Sequence, residues 1–147
     1  MLKTILVAVD GSDHSLRAVD MAANIAACSG ARLVLLYVVK SQELPASLRR
    51  FAEAEHIAGP DTEVLHRAAE FVLADAGDRA RAQGIDDPQR EVVEGPPART
   101  IARRADELGC DMVVVGSRGL GDIGGALLGG VSRRVANLAH CAVLTVK

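Results

Sequence analysis

The sequence predicts an α/β protein built on a parallel sheet, and three observations lead to that prediction. Five short runs rich in Val, Leu and Ile alternate with longer stretches whose apolar residues recur at helical spacing. These runs are apolar throughout, which is typical of strands buried on both faces of a parallel sheet. Hydrophobic residues make up 49% of the chain but aromatic residues only 2%. The core is therefore expected to be aliphatic, with small side chains that let helices pack closely against a sheet.

The predicted strands are short, and the third of them is the most polar, which predicts a position nearer an edge of the sheet. They are Thr4 to Val9, Ala31 to Val39, Gln89 to Val93, Met112 to Val115 and Ala142 to Val146.

The predicted helices have recognisable ends. Ser12 is a plausible N-cap for the first helix and Gly30 supplies its stop. Pro97 suits the first turn of the third helix. The helices are Asp13 to Cys28, Thr62 to Gln83, Pro97 to about Leu108, and a last one that starts after Gly129 and ends near Ala139. We expect Ser41 to Asp61, which contains Pro and Gly breakers, to be irregular.

Strict alternation of strand and helix implies right-handed crossovers and a doubly wound sheet. We therefore expect one domain over residues 1–147, with a Rossmann-like, five-stranded parallel sheet in the order 3-2-1-4-5 and helices on both faces. In such sheets ligands bind beyond the carboxyl ends of the strands, where the strand order reverses. The segments after the first, second and fourth strands are the expected binding segments.

Composition argues against several classes of function. The net charge is −2 and the isoelectric point is near 6.1, so no basic field favours nucleic acid or anionic lipid. No apolar run approaches the roughly 20 residues that span a bilayer. Cys28, Cys110 and Cys141 form no CxxC pair and are predicted to be free thiols in the core. We expect a cytoplasmic protein.

The most informative loop runs from Gly116 to Ser132 and contains seven glycines. It follows a strong strand and precedes a helix, so its backbone N–H groups can approach an anion closely. Phosphate binding and a merely flexible connector both remain open on this observation. The loop contains no GxxxxGK[ST], and the first turn, Asp10-Gly11-Ser12, contains no GxGxxG.

Four segments together resemble the universal stress protein family across nearly the whole chain. Ile5 to Ser12 (ILVAVDGS) is similar to that family's first strand and turn, and Tyr37 to Val39 to the end of its second strand. Gly95 to Pro97 resembles the entry to its third helix, and Val113 to Gly119 (VVVGSRG) its fourth strand and loop.

The ATP-binding branch of that family carries G-x2-G-x9-G-[ST]. Gly116, Gly119 and Gly129 match its three glycines at the right intervals, but Gly130 stands where Ser or Thr is expected. Ser132 offers a neighbouring hydroxyl. Loss of one neutral hydrogen bond is expected to weaken binding by about 0.5 to 1.5 kcal/mol.

The resemblance implies a role for each residue of a nucleotide site. Asp10 would accept hydrogen bonds from the ribose hydroxyls beside the Gly116 backbone, and the backbone of Val38 would bind the adenine edge. Five residues would surround the phosphates: Gly119, Gly129, Gly130, Val131 and Ser132. From the residues alone, Asp10 is also a good turn former and Val38 a core strand residue.

The resemblance implies a stress-response regulator that binds ATP, with Mg²⁺ held through the phosphates and at most slow hydrolysis. No catalytic residue and no metal-ligand cluster is predicted. The missing Ser or Thr favours an alternative, a dimeric interaction module that binds no nucleotide. A homodimer is expected through the strand Ala142 to Val146, unless a helix or Lys147 covers that edge. The protein partner is unknown.

Overall fold

The computed structural model describes residues 1–40, 61–119 and 129–147 of the chain. The irregular segment predicted from Ser41 to Asp61 lies outside these residues, apart from Asp61, which begins a helix.

Within the described ranges five strands alternate with four helices, and their bounds agree with the predicted ones to within one residue. They are β1 (Thr4–Ala8), α1 (Asp13–Ser29), β2 (Arg32–Val39), α2 (Asp61–Ala82), β3 (Gln89–Glu94), α3 (Pro97–Glu107), β4 (Met112–Gly116), α4 (Gly130–Leu138) and β5 (Ala142–Val146).

The five strands form one parallel sheet in the order β3-β2-β1-β4-β5, which confirms the predicted topology. The polar strand β3 lies at one edge and β5 at the other. Along the chain, β2 and β3 are added on one side of β1, and β4 and β5 are then added on the other side. The order therefore reverses beside β1, where the carboxyl ends of β2, β1 and β4 lie next to one another.

Local signals set the ends of α1 as predicted. The Ser15 amide donates to the Ser12 hydroxyl oxygen at 3.2 Å, which makes Ser12 the N-cap. Gly30 closes the helix, and its amide donates to the Ala26 carbonyl.

The core has two layers, one on each face of the sheet, and alanines shape the first. Helices α1 and α2 cover one face, and α3 and α4 cover the other. The alanines of α1 that face the sheet have no exposed surface, so the helix backbone packs close to β1 and β4. They are Ala18, Ala22, Ala23 and Ala26.

The apolar residues of α2 are buried only in its later turns. Ala69, Leu73 and Ala76 are buried, but Val64 and Leu65 are exposed. A helix of 22 residues is about 33 Å long, whereas the eight-residue strand β2 spans about 26 Å. The first turns of α2 therefore extend beyond the strands that the later turns cover. Neither α2 nor any other helix in the described ranges is long and apolar enough to cross a membrane.

The cysteines are free thiols, as predicted, but they differ in burial. Cys110 lies in the core, where burial, and then the neighbouring Cys141, raise its pKa to about 11. Cys28 is exposed, so its predicted core position is wrong. It lies on the outer side of the last turn of α1, since Ala26 occupies the position that faces the sheet.

We expect Ala22→Leu to lower the free energy of unfolding by about 1–3 kcal/mol, because the added carbons have no room between α1 and the sheet. Urea denaturation followed by circular dichroism measures the change. Ala27→Leu is the matched control on the exposed side of the same helix, and it should stay within about 0.5 kcal/mol of the wild type. Equal effects of the two substitutions would contradict the close packing of α1.

Candidate functional site

The candidate site is the crevice beyond the carboxyl ends of β1, β2 and β4. Parallel register brings these ends together, since Ala8 lies opposite Leu36 and Val7 opposite Val114. The turn after β1 and the loop after β4 both open into this crevice, at the point where the strand order reverses.

Asp10 forms a tight turn at the end of β1. One of its carboxylate oxygens accepts from the Ser12 amide at 2.9 Å, and its own amide donates to the Ser15 hydroxyl at 3.3 Å. Gly11, between them, adopts a φ of 84°, which favours glycine. The half-buried carboxylate is therefore held in place by the same turn that begins α1. The turn-forming role considered for Asp10 is present.

The end of β2 lies beside this turn. Burial, and then the Asp10 carboxylate, raise the pKa of Tyr37, so the negative charge of Asp10 lies within reach of β2. The Leu36 carbonyl accepts from the Val9 amide, and backbone groups in a strand alternate sides. The peptide groups of Val38 therefore face the same way as those of Leu36, toward the space past Ala8, where β1 has ended. The side chain of Val38 packs against the α3 and α4 side of the core.

Gly116 allows β4 to end directly against the first turn of α1. A Cβ atom on Gly116 would lie 2.8 Å from the carbonyl carbon of His14 and 2.8 Å from the amide nitrogen of Ser15. Backbone atoms cannot move aside as a flexible side chain can, so this position accepts no side chain without a shift of α1. The matched glycine of the motif thus has a packing reason in this chain.

Ser117 ties the loop after β4 to three other elements. Its amide donates to the Val146 carbonyl of β5 at 2.7 Å, and its carbonyl accepts from the Gly129 amide at 2.5 Å. Its hydroxyl lies 2.8 Å from Nδ1 of His14 in α1. Sequence reasoning had no signal for this arrangement, because His14 and Ser117 are 103 residues apart.

The start of α4 presents its backbone to the crevice. Gly129 is the N-cap residue, and its carbonyl accepts the Arg133 amide at 3.1 Å as the first bond of the helix. The amides of Gly130, Val131 and Ser132 consequently have no acceptor within α4. Such amides and the helix dipole favour an anion at this end.

Ser132 supports the loop from inside. Its hydroxyl is 2% exposed and lies within hydrogen-bond distance of the carbonyls of Gly129, at 3.0 Å, and Ser117, at 3.2 Å. Its hydrogen is thus directed at the loop backbone, and its amide, in the first turn of α4, has no acceptor within the helix. Gly130, by contrast, is exposed, and a Cβ atom there would meet no atom within 4 Å.

Gly119 is described, but residues 120–128 of the glycine-rich loop, with three of its glycines, lie outside the described part of the chain. The described residues bring three segments of the predicted site together: the Asp10 turn, Gly116 with Ser117, and the start of α4. We call Gly116 to Gly119 with Gly129 to Ser132 the phosphate cradle. Val38 joins it from the opposite side of the crevice, beside β1.

The described residues offer no obvious catalytic centre. They contain no group of three His, Cys, Asp or Glu side chains that could hold a metal ion. The His14 and Ser117 pair resembles a base and a nucleophile in distance, but Ser117 is 2% exposed and its hydroxyl faces the protein interior. The pair is built to hold α1 and the loop together.

A groove with a volume of about 450 Å³ adjoins the cradle on the α3 and α4 side of the sheet. Three cationic side chains from three different parts of the fold line it. They are Lys40, Arg99 and Arg134. Asn137 and apolar residues complete the lining: Pro96, Pro97, Ala98, Val131 and Leu138.

We expect Gly116→Ala to lower the free energy of unfolding by about 1–3 kcal/mol, because its Cβ atom would overlap the backbone of α1. Gly130→Ala, where the Cβ atom meets open space, should leave stability within about 0.5 kcal/mol of the wild type or raise it slightly. Urea denaturation midpoints of the two variants provide the measurement. A Gly116→Ala protein as stable as Gly130→Ala would refute the close approach of β4 to α1.

Comparison with known proteins identifies the family. The model of the universal stress protein family matches residues 1–147. Universal stress protein Rv1636 of Mycobacterium tuberculosis is 36% identical over 148 residues, which cover 98% of this chain and 95% of the relative. Universal stress protein YxiE of Bacillus subtilis is 33% identical over 151 residues and all of both chains. A crystal structure of a universal stress protein in complex with cAMP is 36% identical, covers 99% of this chain and 97% of that one, and superposes with a TM-score of 0.70. The chain belongs to the universal stress protein family.

Proposed function

We propose that this protein binds an adenine nucleotide, ATP, in the crevice and acts as a stress-response regulator. The observation that carries the proposal is the phosphate cradle, in which the spaced glycines and the first amides of α4 lie beside the Asp10 turn. Backbone donors at a helix start suit phosphate, and a carboxylate across the crevice suits ribose hydroxyls.

A relative supports the choice of an adenine nucleotide. The universal stress protein solved with cAMP shares 36% of its residues with this chain over nearly the full length of both. cAMP and ATP share adenine and ribose and differ in their phosphates. The groups proposed for adenine and ribose here, the Val38 backbone and Asp10, therefore serve either ligand.

On this proposal the phosphates meet the amides of Gly119 and of residues 129–132, and Mg²⁺ is held by phosphate oxygens and water. The described residues provide no carboxylate cluster that would hold the ion by itself. Any hydrolysis of ATP on this proposal is slow.

Gly130 favours a second candidate function, a dimeric interaction module that binds no nucleotide. A Ser or Thr at this position would add a hydroxyl at the first residue of α4, and Gly130 lacks it. The amide of Gly130 is retained, and backbone amides supply most of the donors in the cradle. Nucleotide binding is therefore the first candidate, with an affinity weakened by about one hydrogen bond.

Two substitutions of Gly130 should move nucleotide affinity in opposite directions while the fold stays intact. Gly130→Ser adds the missing hydroxyl in open space and should tighten ATP binding about threefold to tenfold. Gly130→Asp places a carboxylate at the same point and should weaken ATP binding by tenfold or more through repulsion of the phosphates, although an acid in the first turn stabilises a helix. Isothermal titration with ATP and Mg²⁺ measures both.

Thermal unfolding of both variants without ligand is the control, and neither should melt below the wild type. No ATP binding by the wild type or by Gly130→Ser at millimolar ATP would reject the nucleotide function and leave the interaction module. Equal ATP affinity in Gly130→Ser and Gly130→Asp would show that phosphates bind away from α4.

We also propose a homodimer through β5. This strand pairs with β4 on one side and lies at the edge of the sheet. The Val146 carbonyl accepts from Ser117, so even-numbered residues face β4 and the amides of Val143 and Thr145 face outward. An edge with outward amides can pair with a second copy.

We propose in addition a cytoplasmic location, which the three free thiols support, and a single domain over residues 1–147.

Thr145→Pro should convert the dimer to a monomer, because proline removes an outward amide and leaves the bonds to β4 in place. Thr145→Val keeps the amide and should remain dimeric. Light scattering after size-exclusion chromatography gives the mass of each species. A Thr145→Pro protein that still forms dimers would exclude pairing through the edge of β5.

A further inference from the structure

The groove beside the phosphate cradle is lined by three cationic side chains, Lys40, Arg99 and Arg134. We call it the basic groove. All three cations are exposed, and none of them forms an ion pair with another described residue. No Asp or Glu contributes to its described lining. The basic groove is therefore a local positive site on a chain whose net charge is −2.

The other two arginines of α3, by contrast, are paired with carboxylates. Arg103 lies 2.8 Å from the Glu107 carboxylate, and Arg104 lies 2.7 Å from that of Glu91. Arg99, one turn before Arg103, has no described carboxylate partner and points its charge into the groove with Arg134 of α4. Two helices and the residue that follows β2 thus each contribute a cationic side chain to one concave surface.

The basic groove is continuous with the cradle through α4. Val131, in the first turn of α4, lines the groove and also belongs to the cradle. Arg134 follows three residues later and therefore lies on the same side of the helix. A ligand held by the first amides of α4 consequently has Arg134 within one turn of its phosphate.

Size and lining point to a small, multiply charged ligand. A volume of about 450 Å³ lies within the range of small-molecule sites. Arginine binds phosphate oxygens through paired N–H groups, and three cations together suit an anion that carries several charges. An oligophosphate has this chemistry, whereas the phosphodiester of a cyclic nucleotide carries one charge.

We propose that the basic groove binds the distal phosphates of the nucleotide, so that the site selects nucleotides by phosphate number and prefers ATP over ADP, AMP and cAMP. This inference rests on the proposed function and specifies its ligand. Lys40, Arg99 and Arg134 are the specificity residues. The cradle and Asp10 serve all adenine nucleotides alike.

The test compares AMP, ADP, ATP and cAMP by isothermal titration without Mg²⁺, at one low ionic strength. The wild type should bind ATP on the order of tenfold more tightly than AMP, because each charge-assisted contact strengthens binding severalfold. The double variant Arg99→Gln and Arg134→Gln should lose most of that difference, because ATP loses its distal-phosphate contacts whereas AMP and cAMP lose at most the one contact with Arg134. Arg103→Gln makes the same charge change on α3 outside the groove and should behave as the wild type.

Unchanged preference for ATP in the double variant would overturn the proposal, and so would equal AMP and ATP affinities in the wild type. Thermal unfolding checks that the double variant is folded, which its exposed positions favour.

Inorganic triphosphate separates failure of the groove from failure of the proposed function. If no adenine nucleotide binds, the proposed function is wrong, and with it the assignment of the groove to distal phosphates. If the wild type then binds triphosphate and the double variant does not, the groove binds a free oligophosphate instead. Triphosphate binding that the double variant retains would overturn the groove as an anion site altogether.

Discussion

The close contact between the end of β4 and the first turn of α1 is the constraint on which the candidate site depends. Gly116 has no side chain, and a Cβ atom there would lie 2.8 Å from two backbone atoms of α1. Because of this contact the next residue, Ser117, can reach His14 with its hydroxyl and Val146 and Gly129 with its backbone. One missing side chain thus fixes the position of α1, β5 and the start of α4 relative to one another.

Hydroxyl groups in this region hold the scaffold, and the proposed function assigns the ligand contacts to backbone amides. The hydroxyls of Ser12 and Ser15 bond to the turn after β1, and that of Ser132 bonds to the loop carbonyls. These bonds hold the scaffold without any ligand. On the proposed function this arrangement lowers the ordering cost of binding, and Gly130 is tolerated because the amides proposed to bind phosphate do not depend on the side chain at that position.

Sequence reasoning succeeded where the controlling interactions are local. The ends of α1 follow from Ser12 and Gly30, and the strand bounds follow from apolar runs that parallel pairing buries. It did not address burial that depends on the relative length of elements, as at Val64 and Leu65, which are exposed in the first turns of α2. It also had no means to find the contact between His14 and Ser117, because nothing in either neighbourhood points to a residue 103 positions away. The individual ligand-contact roles of the predicted site residues remain predictions, although the fold brings their segments together.

The basic groove suggests where selectivity can change within such a fold. Backbone amides recognise any phosphate, and altering them would disturb the contact between β4 and α1 or the start of α4. Lys40, Arg99 and Arg134 are exposed, so they can be replaced at little cost in stability. The backbone of the phosphate cradle is fixed by the fold, whereas the cationic side chains at its border can be replaced. One fold can therefore distinguish ligands by their charge. On the proposal made above, the number of phosphates preferred by this protein is set by surface arginines, while the affinity for adenosine is set by the sheet.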